Sequence, residues 1–427
     1  MSLSPENQPH LLVLASVGAQ NARRIAPSLT GLCRTTWLFL EGVDRNSVRP
    51  IEPLPQGIGR MCPVASDREA LELALEIHAA DPFDGLMLFT EYSLRLAAEI
   101  AEKTGIRFNS TATVERLLNK FLQRETLSAA GILGPRYHAV HSAEDLDEAA
   151  RHVGFPAILK PVRGDGSWLV REVNSVAELS EVWSTVVAFA AEAPKSDRIN
   201  LTAGTDQPFM ILEQLVVGSR WHQDERYGDY VTVESSVYRG EIRHLVISDK
   251  FPLDTSFRQR GSLQPSVLPV QRQMELCETA SAAISALNIT EGMVNTELKL
   301  TSEGARIIEV NGRAGGGIQK LLVNGADYDI FSEYAYAALG IRPMALPQYK
   351  RHAAMLCPCL ELESTHNPFR VTLQQGYQEQ KGVESVIIPD PIPGRNHAMV
   401  SFVTGDNAES LHEHWQDLQK ALIVKPA

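Results

Sequence analysis

Short apolar runs bounded by turn formers alternate, early in the chain, with stretches whose apolar residues recur at helical spacing. His10-Leu-Leu-Val-Leu-Ala-Ser16, ended by Val17-Gly18, predicts a fully buried strand, and so does Gly85-Leu-Met-Leu-Phe89. Between them Asp67 predicts the cap of a helix in which Leu71, Ala74 and Leu75 share a face. A further helix from about Ser93 to Lys103 stops at Gly105. Strands alternating with helices predict a parallel, doubly wound sheet. The first strand is followed by Gly18 alone, without the Gly-x-Gly-x-x-Gly turn, which argues against a standard dinucleotide site.

From Thr111 the pattern is helical to Ala130, closed by Gly131, and helical again from Ser142 to His152, with Ser142 as cap and Asp145 three residues on. The periodicity then changes. Ala157 to Lys160, Ser167 to Glu172, Phe209 to Glu213, Val231 to Tyr238, Glu241 to Ser248, Gly292 to Leu300 and Ala305 to Val310 predict strands, with Arg239-Gly240 as a tight turn. Long helices are predicted at about Val176 to Ala191 and Arg272 to Leu287, and another from Asp329 to Leu339 stops at Gly340. The fold class is therefore α/β first and α+β afterwards, followed beyond Pro343 and Pro347 by a Pro-rich, strand-like tail.

At 427 residues the chain exceeds one ordinary core and predicts about three domains, or two plus an appendage. Its 44% hydrophobic and 22% charged residues exclude global disorder. A net charge of −12 argues against a nucleic-acid partner, while leaving room for a small basic pocket. No apolar run approaches the roughly 18 residues of a membrane span. Residues Met1 to His10 carry no signal pattern. The cysteines, Cys33, Cys62, Cys277, Cys357 and Cys359, are odd in number and scattered, as structural thiols in a reducing cytoplasm would be. Cys357-Pro-Cys359 is too closely spaced for the usual zinc pattern.

The segment Asn295 to Gly317 holds the densest candidate chemistry. A three-residue loop, Ser302-Glu303-Gly304, would pair Thr301 with Ala305 and use Gly304 at positive φ. That register sets Glu297 opposite Glu309 and Asn295 opposite Asn311 on one face, with Val294, Leu298, Ile308 and Val310 on the other. Taken alone, two opposed glutamates are most simply a solvated face. Mg²⁺ would turn their repulsion into binding, and Arg313-Ala-Gly-Gly-Gly317 adds a cation and exposed amides for an oxyanion. Upstream, a strand delivers Lys160 to Pro-Val-Arg-Gly164-Asp-Gly166-Ser167, a turn suited to phosphate but not a P-loop. Lys120 alone reads as a solvated lysine, and Met210-Ile-Leu-Glu213-Gln-Leu215 as a strand end that suits an adenine edge. No Gly-x-Ser-x-Gly elbow occurs, and His412-Glu-His414 reads as an exposed helix face.

The order of these segments, with Ile247-Ser-Asp-Lys250, Asn295-Thr-Glu297 and Glu309-Val-Asn311-Gly-Arg313, resembles the ATP-grasp superfamily in its carboxylate–amine ligase branch, including L-amino acid ligases that form dipeptides. The resemblance is close over Thr111 to Gly340 and implies an ATP-grasp fold with an N-terminal doubly wound α/β domain and a C-terminal strand-rich lid. The implied boundaries are 1–110 for the N-terminal domain, 111–205 and 206–350 for the two ATP-grasp subdomains, and 351–427 for the lid. It further implies ATP phosphates at Lys120 and Lys160, a covering loop at Gly164, Gly166 and Ser167, and an adenine site at Glu213, Gln214 and Leu215. Two Mg²⁺ ions, with Mn²⁺ as an alternative, would sit at Glu297, Glu309 and Asn311. Arg313 and Lys250 would act at the reacting carboxylate, and Arg258, Arg313, Gly315, Gly316 and Gly317 would bind substrate. Glu234 is the choice for the ribose-contacting acid, since the segment from Gly218 to Tyr230 is longer than usual. Gln259 and Arg260 stand where relatives often carry an acid for a substrate ammonium, which favours a carboxylate-rich substrate.

The implied reaction is ATP-dependent amide formation through an acyl phosphate, releasing ADP and phosphate, by a cytoplasmic homodimer acting on a small carboxylate and an amine. The product would be a dipeptide-like amide. The alternatives are an ATP-grasp carboxylase using bicarbonate and a non-catalytic nucleotide-binding protein.

Overall fold

A computed structural model describes residues 8–16, 22–40, 59–164, 167, 169–192, 210–255, 257–341, 343–358, 369–388 and 399–426. Val17-Gly18, Gly166 and Cys359 lie outside them. The first layer is a four-stranded parallel sheet, Arg60–Val64, Arg34–Leu40, His10–Ala15 and Gly85–Leu88 in spatial order. All six residues of His10–Ala15 are buried, as a strand covered on both faces requires. Leu94–Thr104 packs on this sheet and ends at Gly105 with φ +76°. The helix Asp67–Ala80 is capped by the Ser66 hydroxyl, which accepts from the Glu69 amide. Ser66 thus takes the role expected of Asp67, whose carboxyl stands one residue inside the first turn.

The expected helix from Thr111 to Ala130 is two helices, Thr111–Leu118 and Lys120–Ala129. Asn119 adopts an extended backbone, φ −116° and ψ 105°, and its side chain accepts from the amides of Phe121 and Leu122. A polar residue that satisfies two orphan donors can end one helix and begin the next. The break places Lys120 at a helix start.

The second layer is a four-stranded antiparallel sheet ordered Tyr137–Val140, Met210–Gln214, Ala157–Pro161, Arg171–Val173. Helices Leu146–Val153 and Val176–Glu192 close its core, and the Ser142–Asp145 capping box precedes the first of them. The third is an eight-stranded antiparallel sheet. Its order is Gly304–Asn311, Glu291–Thr301, Tyr230–Tyr238, Glu241–Lys250, Gly261–Gln264, His352–Leu356, Val400–Gly405, Val383–Ile387. Val270–Ala286 packs on it through Leu276, Ala280, Ala283 and Ile284. The tail strands therefore join this sheet edge to edge, through His352–Leu356 against Gly261–Gln264. The tail also holds the helix Ala408–Ala421, in which His412 is 3% exposed against Tyr227 and Phe251 rather than on the solvent face. Among the described residues the cysteines are free thiols, and no helix is long and apolar enough to cross a membrane.

The hairpin from Glu291 to Asn311 differs from its expected form at the tip and agrees at the site. Thr301 pairs with Gly304 across a two-residue turn, and a bulge then inserts Ile308. The shorter turn and the bulge offset one another, so Glu297 faces Glu309 and Asn295 faces Asn311. The bulge also changes which isoleucine is in the core. Ile307, at 1% exposure, packs with Leu298 and Val310, while Ile308 lines the cleft.

Candidate active site

A cleft of about 430 Å³ separates the second and third sheets. Eight lysines and arginines line it against four glutamates. In a chain of net charge −12 this surplus marks the cleft as a place for polyanions.

At one end Glu213 is enclosed by two cations. Arg124 Nε lies 2.8 Å from Oε1 and Lys160 Nζ 2.7 Å from Oε2, all with side chains under 10% exposed. Burial alone would raise the Glu213 pKa, but Arg124 and Lys160 hold it down at about 2. Lys160 is worse served. Burial lowers its pKa, Glu213 opposes this, and Arg124 competes for the same carboxylate. The trio carries one positive charge more than it neutralises, which suits a phosphate oxygen. Arg124 also donates to the carbonyl of Ile308, so the cation holds the bulge in place.

Lys120 Nζ pairs with Glu309 at 2.8 Å and donates to the Gly164 carbonyl at 2.7 Å. Its backbone amide donates to Val162 at 2.9 Å, so the helix start is pinned to the strand that carries Lys160. Gln123 exchanges two hydrogen bonds with the backbone of Val310, fixing the same helix to the carboxylate hairpin. Ser167 donates to the Phe257 carbonyl at 2.9 Å, which joins Ser167 to the opposite wall. Gln214 and Leu215 line the cleft beside Glu213, and Arg258 lines it near Phe257.

At the centre stand Glu297 and Glu309. Burial and Glu309 raise the Glu297 pKa, against Lys250 and Arg313. Burial acts on Glu309 too, but Lys120 and Lys160 outweigh it and keep that carboxylate charged. Two opposed carboxylates with the Asn311 amide form a hard-oxygen donor set that fits Mg²⁺, which needs few protein ligands when phosphates supply the rest. Among the described residues no group of three or more His, Cys, Asp and Glu could hold a metal alone.

At the far end Glu234 is 1% exposed and accepts from Asn295 Nδ2 and from the Gly315 amide at 3.1 Å. Burial raises its pKa to about 7, in spite of these donors and of Lys250. A Cβ on Gly315 would push the Glu234 carboxylate and the Asn295 amide out of their present places, so glycine keeps this contact as it stands. Glu234 pairs across the sheet with Asn295, at the Arg313 end of the cleft and away from Glu213–Leu215. Arg313 Nε lies 3.3 Å from Glu91, a residue of the N-terminal layer. Gly316 lines the cleft as well, and Gly317, at φ +77°, starts the helix Ile318–Ala326.

The cleft thus brings together Lys120, Lys160, Gly164, Ser167, Glu213–Leu215, Glu234, Lys250, Arg258, Glu297, Glu309, Asn311, Arg313, Gly315 and Gly316. Gly317 borders a neighbouring groove instead. Arg124 and Glu91 are the site residues that sequence reasoning left out, and Asn295, placed on the site face by register, was given no partner there, whereas it donates to Glu234. Arg124 had a readable signal, since it stands four residues after Lys120 and so on the same helix face. Glu91 had none, because its partner is more than 200 positions away.

Residues 153–321 match the ATP-grasp domain family. Alanine–anticapsin ligase of Bacillus subtilis (strain 168) is 25% identical over 236 residues, 55% of this chain and 49% of that protein. An L-arginine-specific L-amino acid ligase of Bacillus subtilis is 26% identical over 249 residues, 57% of this chain and 55% of that protein. The matched stretch spans about half the length of these curated relatives. Among solved structures, an L-amino acid ligase from Bacillus licheniformis superposes with TM-score 0.75 at 18% identity, covering 98% of both chains. The biotin carboxylase domain of a Hydrogenobacter thermophilus 2-oxoglutarate carboxylase, in complex with MgADP, ADP and bicarbonate, gives 0.68 at 14% identity, covering 98% of this chain and 90% of that one.

Proposed function

Because the chain carries an ATP-grasp domain and is homologous to amino-acid ligases, we propose that it is an ATP-dependent carboxylate–amine ligase acting on small substrates, one of them an amino acid. The observation that carries this reading is the opposed Glu297–Glu309 pair, set between the Lys120–Lys160–Arg124 cations and Arg313 with its Gly-rich turn.

In this reading the adenine lies against Glu213, Gln214 and Leu215, and Lys120 and Lys160 meet the phosphates. Gly164 and Ser167 border the phosphates and help keep water from the reacting centre. Glu297, Glu309 and Asn311 would hold Mg²⁺, which when bound neutralises charge on the β- and γ-phosphate oxygens.

A substrate carboxylate oxygen forms a bond to the γ-phosphorus, the bond from phosphorus to the β-bridging oxygen breaks, and ADP leaves. Arg313 and Lys250 balance the charge of the resulting acyl phosphate. The amine then bonds to the acyl carbon, phosphate leaves with the electron pair of the carbon–oxygen bond, and the amine gives up a proton. In this reading Glu234, with a pKa near 7 beside Gly315, is suited to receive that proton, an alternative to the ribose contact expected from sequence. Arg258 adds positive charge for a carboxylate-bearing substrate.

The test incubates pairs of amino acids with ATP and Mg²⁺ and follows ADP, phosphate and product mass. Equal amounts of ADP and amide are expected. ADP formed with labelled bicarbonate incorporated and no amine requirement would make the protein a carboxylase. No substrate-dependent ADP with any pair would overturn the enzymatic reading.

A further inference from the structure

Beside the main cleft lies a second groove of about 370 Å³. Gln259 and Gly316 belong to the walls of both, so the groove opens next to the Gly-rich turn that follows Arg313. It also holds two cations from distant parts of the chain, Arg24 on the helix Ala22–Leu29 and Lys320 on the helix Ile318–Ala326. Among the described residues neither pairs with a carboxylate. Lys320 donates to Ser385 Oγ at 2.7 Å and lies 4.6 Å from the centre of the Phe402 ring, leaving ammonium hydrogens unused. Burial, and then Arg24, lower the Lys320 pKa. Two like charges that line one groove and act on each other favour an anion between them. Apart from Gln319 the remaining wall is largely apolar, with Met355, Val400 and Phe402. Gly317, whose φ of +77° favours glycine, turns the backbone beside this wall, where a Cβ would press on Met355 Sδ.

We propose that this groove is the acceptor subsite: it takes an amino acid whose carboxylate lies between Arg24 and Lys320 and whose amine reaches past Gly316 into the main cleft. This rests on the ligase reading above. In that reading the donor carboxylate is used at Arg313, and the nucleotide fills the Glu213–Lys160 end. An anion-binding groove beyond Gly316 therefore belongs to the molecule that attacks from the side opposite the nucleotide. The apolar wall selects acceptors with a hydrophobic side chain.

The test uses the whole chain with Arg24→Gln, Lys320→Gln and the double variant. The amino acids and their carboxamides serve as acceptors. The double variant is expected to raise the acceptor KM about tenfold with little change in the KM of ATP or donor. With a carboxamide acceptor the same variant should change little, because the anion that the two cations recognise is gone. Arg24 stands on an exposed position, so Arg24→Gln alone keeps the test informative if Lys320→Gln fails to fold. An unchanged acceptor KM, or a rise confined to the donor, overturns the subsite. Calorimetric binding of amino acids to the ATP-loaded protein separates the two readings. Binding that depends on Arg24 and Lys320 without amide formation would sink the ligase alone, and amide formation indifferent to both would sink the subsite alone.

Discussion

Glu213 is the residue on which the nucleotide end of the cleft turns. Its carboxylate is ionised because two buried cations oblige it to be, and they in turn stay buried because it is ionised. Its folded pKa of about 2 lies below the usual 4.5, so its stabilisation is present above the unfolded value and is lost as pH falls from about 4.5 towards 2. That shift corresponds to about 3 kcal/mol. Glu213→Gln leaves Arg124 and Lys160 unmatched and should cost about 3–5 kcal/mol at pH 7. Melting temperatures of both proteins from pH 7 to pH 3 check this: the gap should narrow in acid, and a gap independent of pH would contradict the ion-pair account. Glu309→Gln makes the opposite case. The substitution loosens the Lys120 pair but also relieves the repulsion from Glu297, so the two effects offset and the fold should persist while turnover falls on the order of a thousandfold. Near-normal turnover at saturating Mg²⁺ would remove Glu309 from the metal set.

At the scale of elements, the carboxylate hairpin shows what sequence can and cannot give. Alternation put Glu297 and Glu309 each on a definite face of its strand, but their opposition rested on the assumed three-residue turn and survives because the shorter turn and the bulge cancel. The two-residue turn and the Ile308 bulge were not legible, since the bulge is held by Arg124, a residue of another element. The same holds for Asn119. Its capping role competes with a continuous helix, and local propensity does not decide between them. The tertiary bond from the Lys120 amide to Val162 favours the break. His412 misled for a related reason, since a polar ring buried among Tyr227 and Phe251 looks in sequence like a surface residue. The Asn119 break makes a prediction. Asn119→Ala should cost about 1 kcal/mol of stability. It should also raise the KM for ATP several-fold, because Lys120 loses its fixed start, while Asn119→Asp, which also caps, keeps both near the parent. Equal ATP affinity in the two variants would mean that the cap does not position Lys120.

Across the whole molecule, the N-terminal layer is packed into the rest rather than appended to it. One apolar cluster runs from Leu11, Val13 and Trp37 through Met87 to Met293, Ile318, Phe331 and Tyr334. Phe89 meets Phe331 edge-on at 5.5 Å, and the Leu88 amide donates to the Tyr334 hydroxyl. The consequence for the site is Glu91, which follows that sheet's last strand and meets Arg313 at 3.3 Å. Glu91 is 15% exposed and also favours the charged form of Lys120. A flexible arginine that must meet charge developing on a small substrate gains from being held beforehand, because misplacement by about 1 Å can cost on the order of a hundredfold. Glu91→Gln should therefore lower kcat about tenfold and leave the KM for ATP near its parent value, since the nucleotide contacts lie at the other end of the cleft. If Glu91 merely joined two layers, the variant would melt earlier with kcat intact. Measuring both quantities on one preparation distinguishes the two: a fall in kcat at unchanged melting temperature makes the N-terminal layer part of the active site, and the converse makes it scaffold.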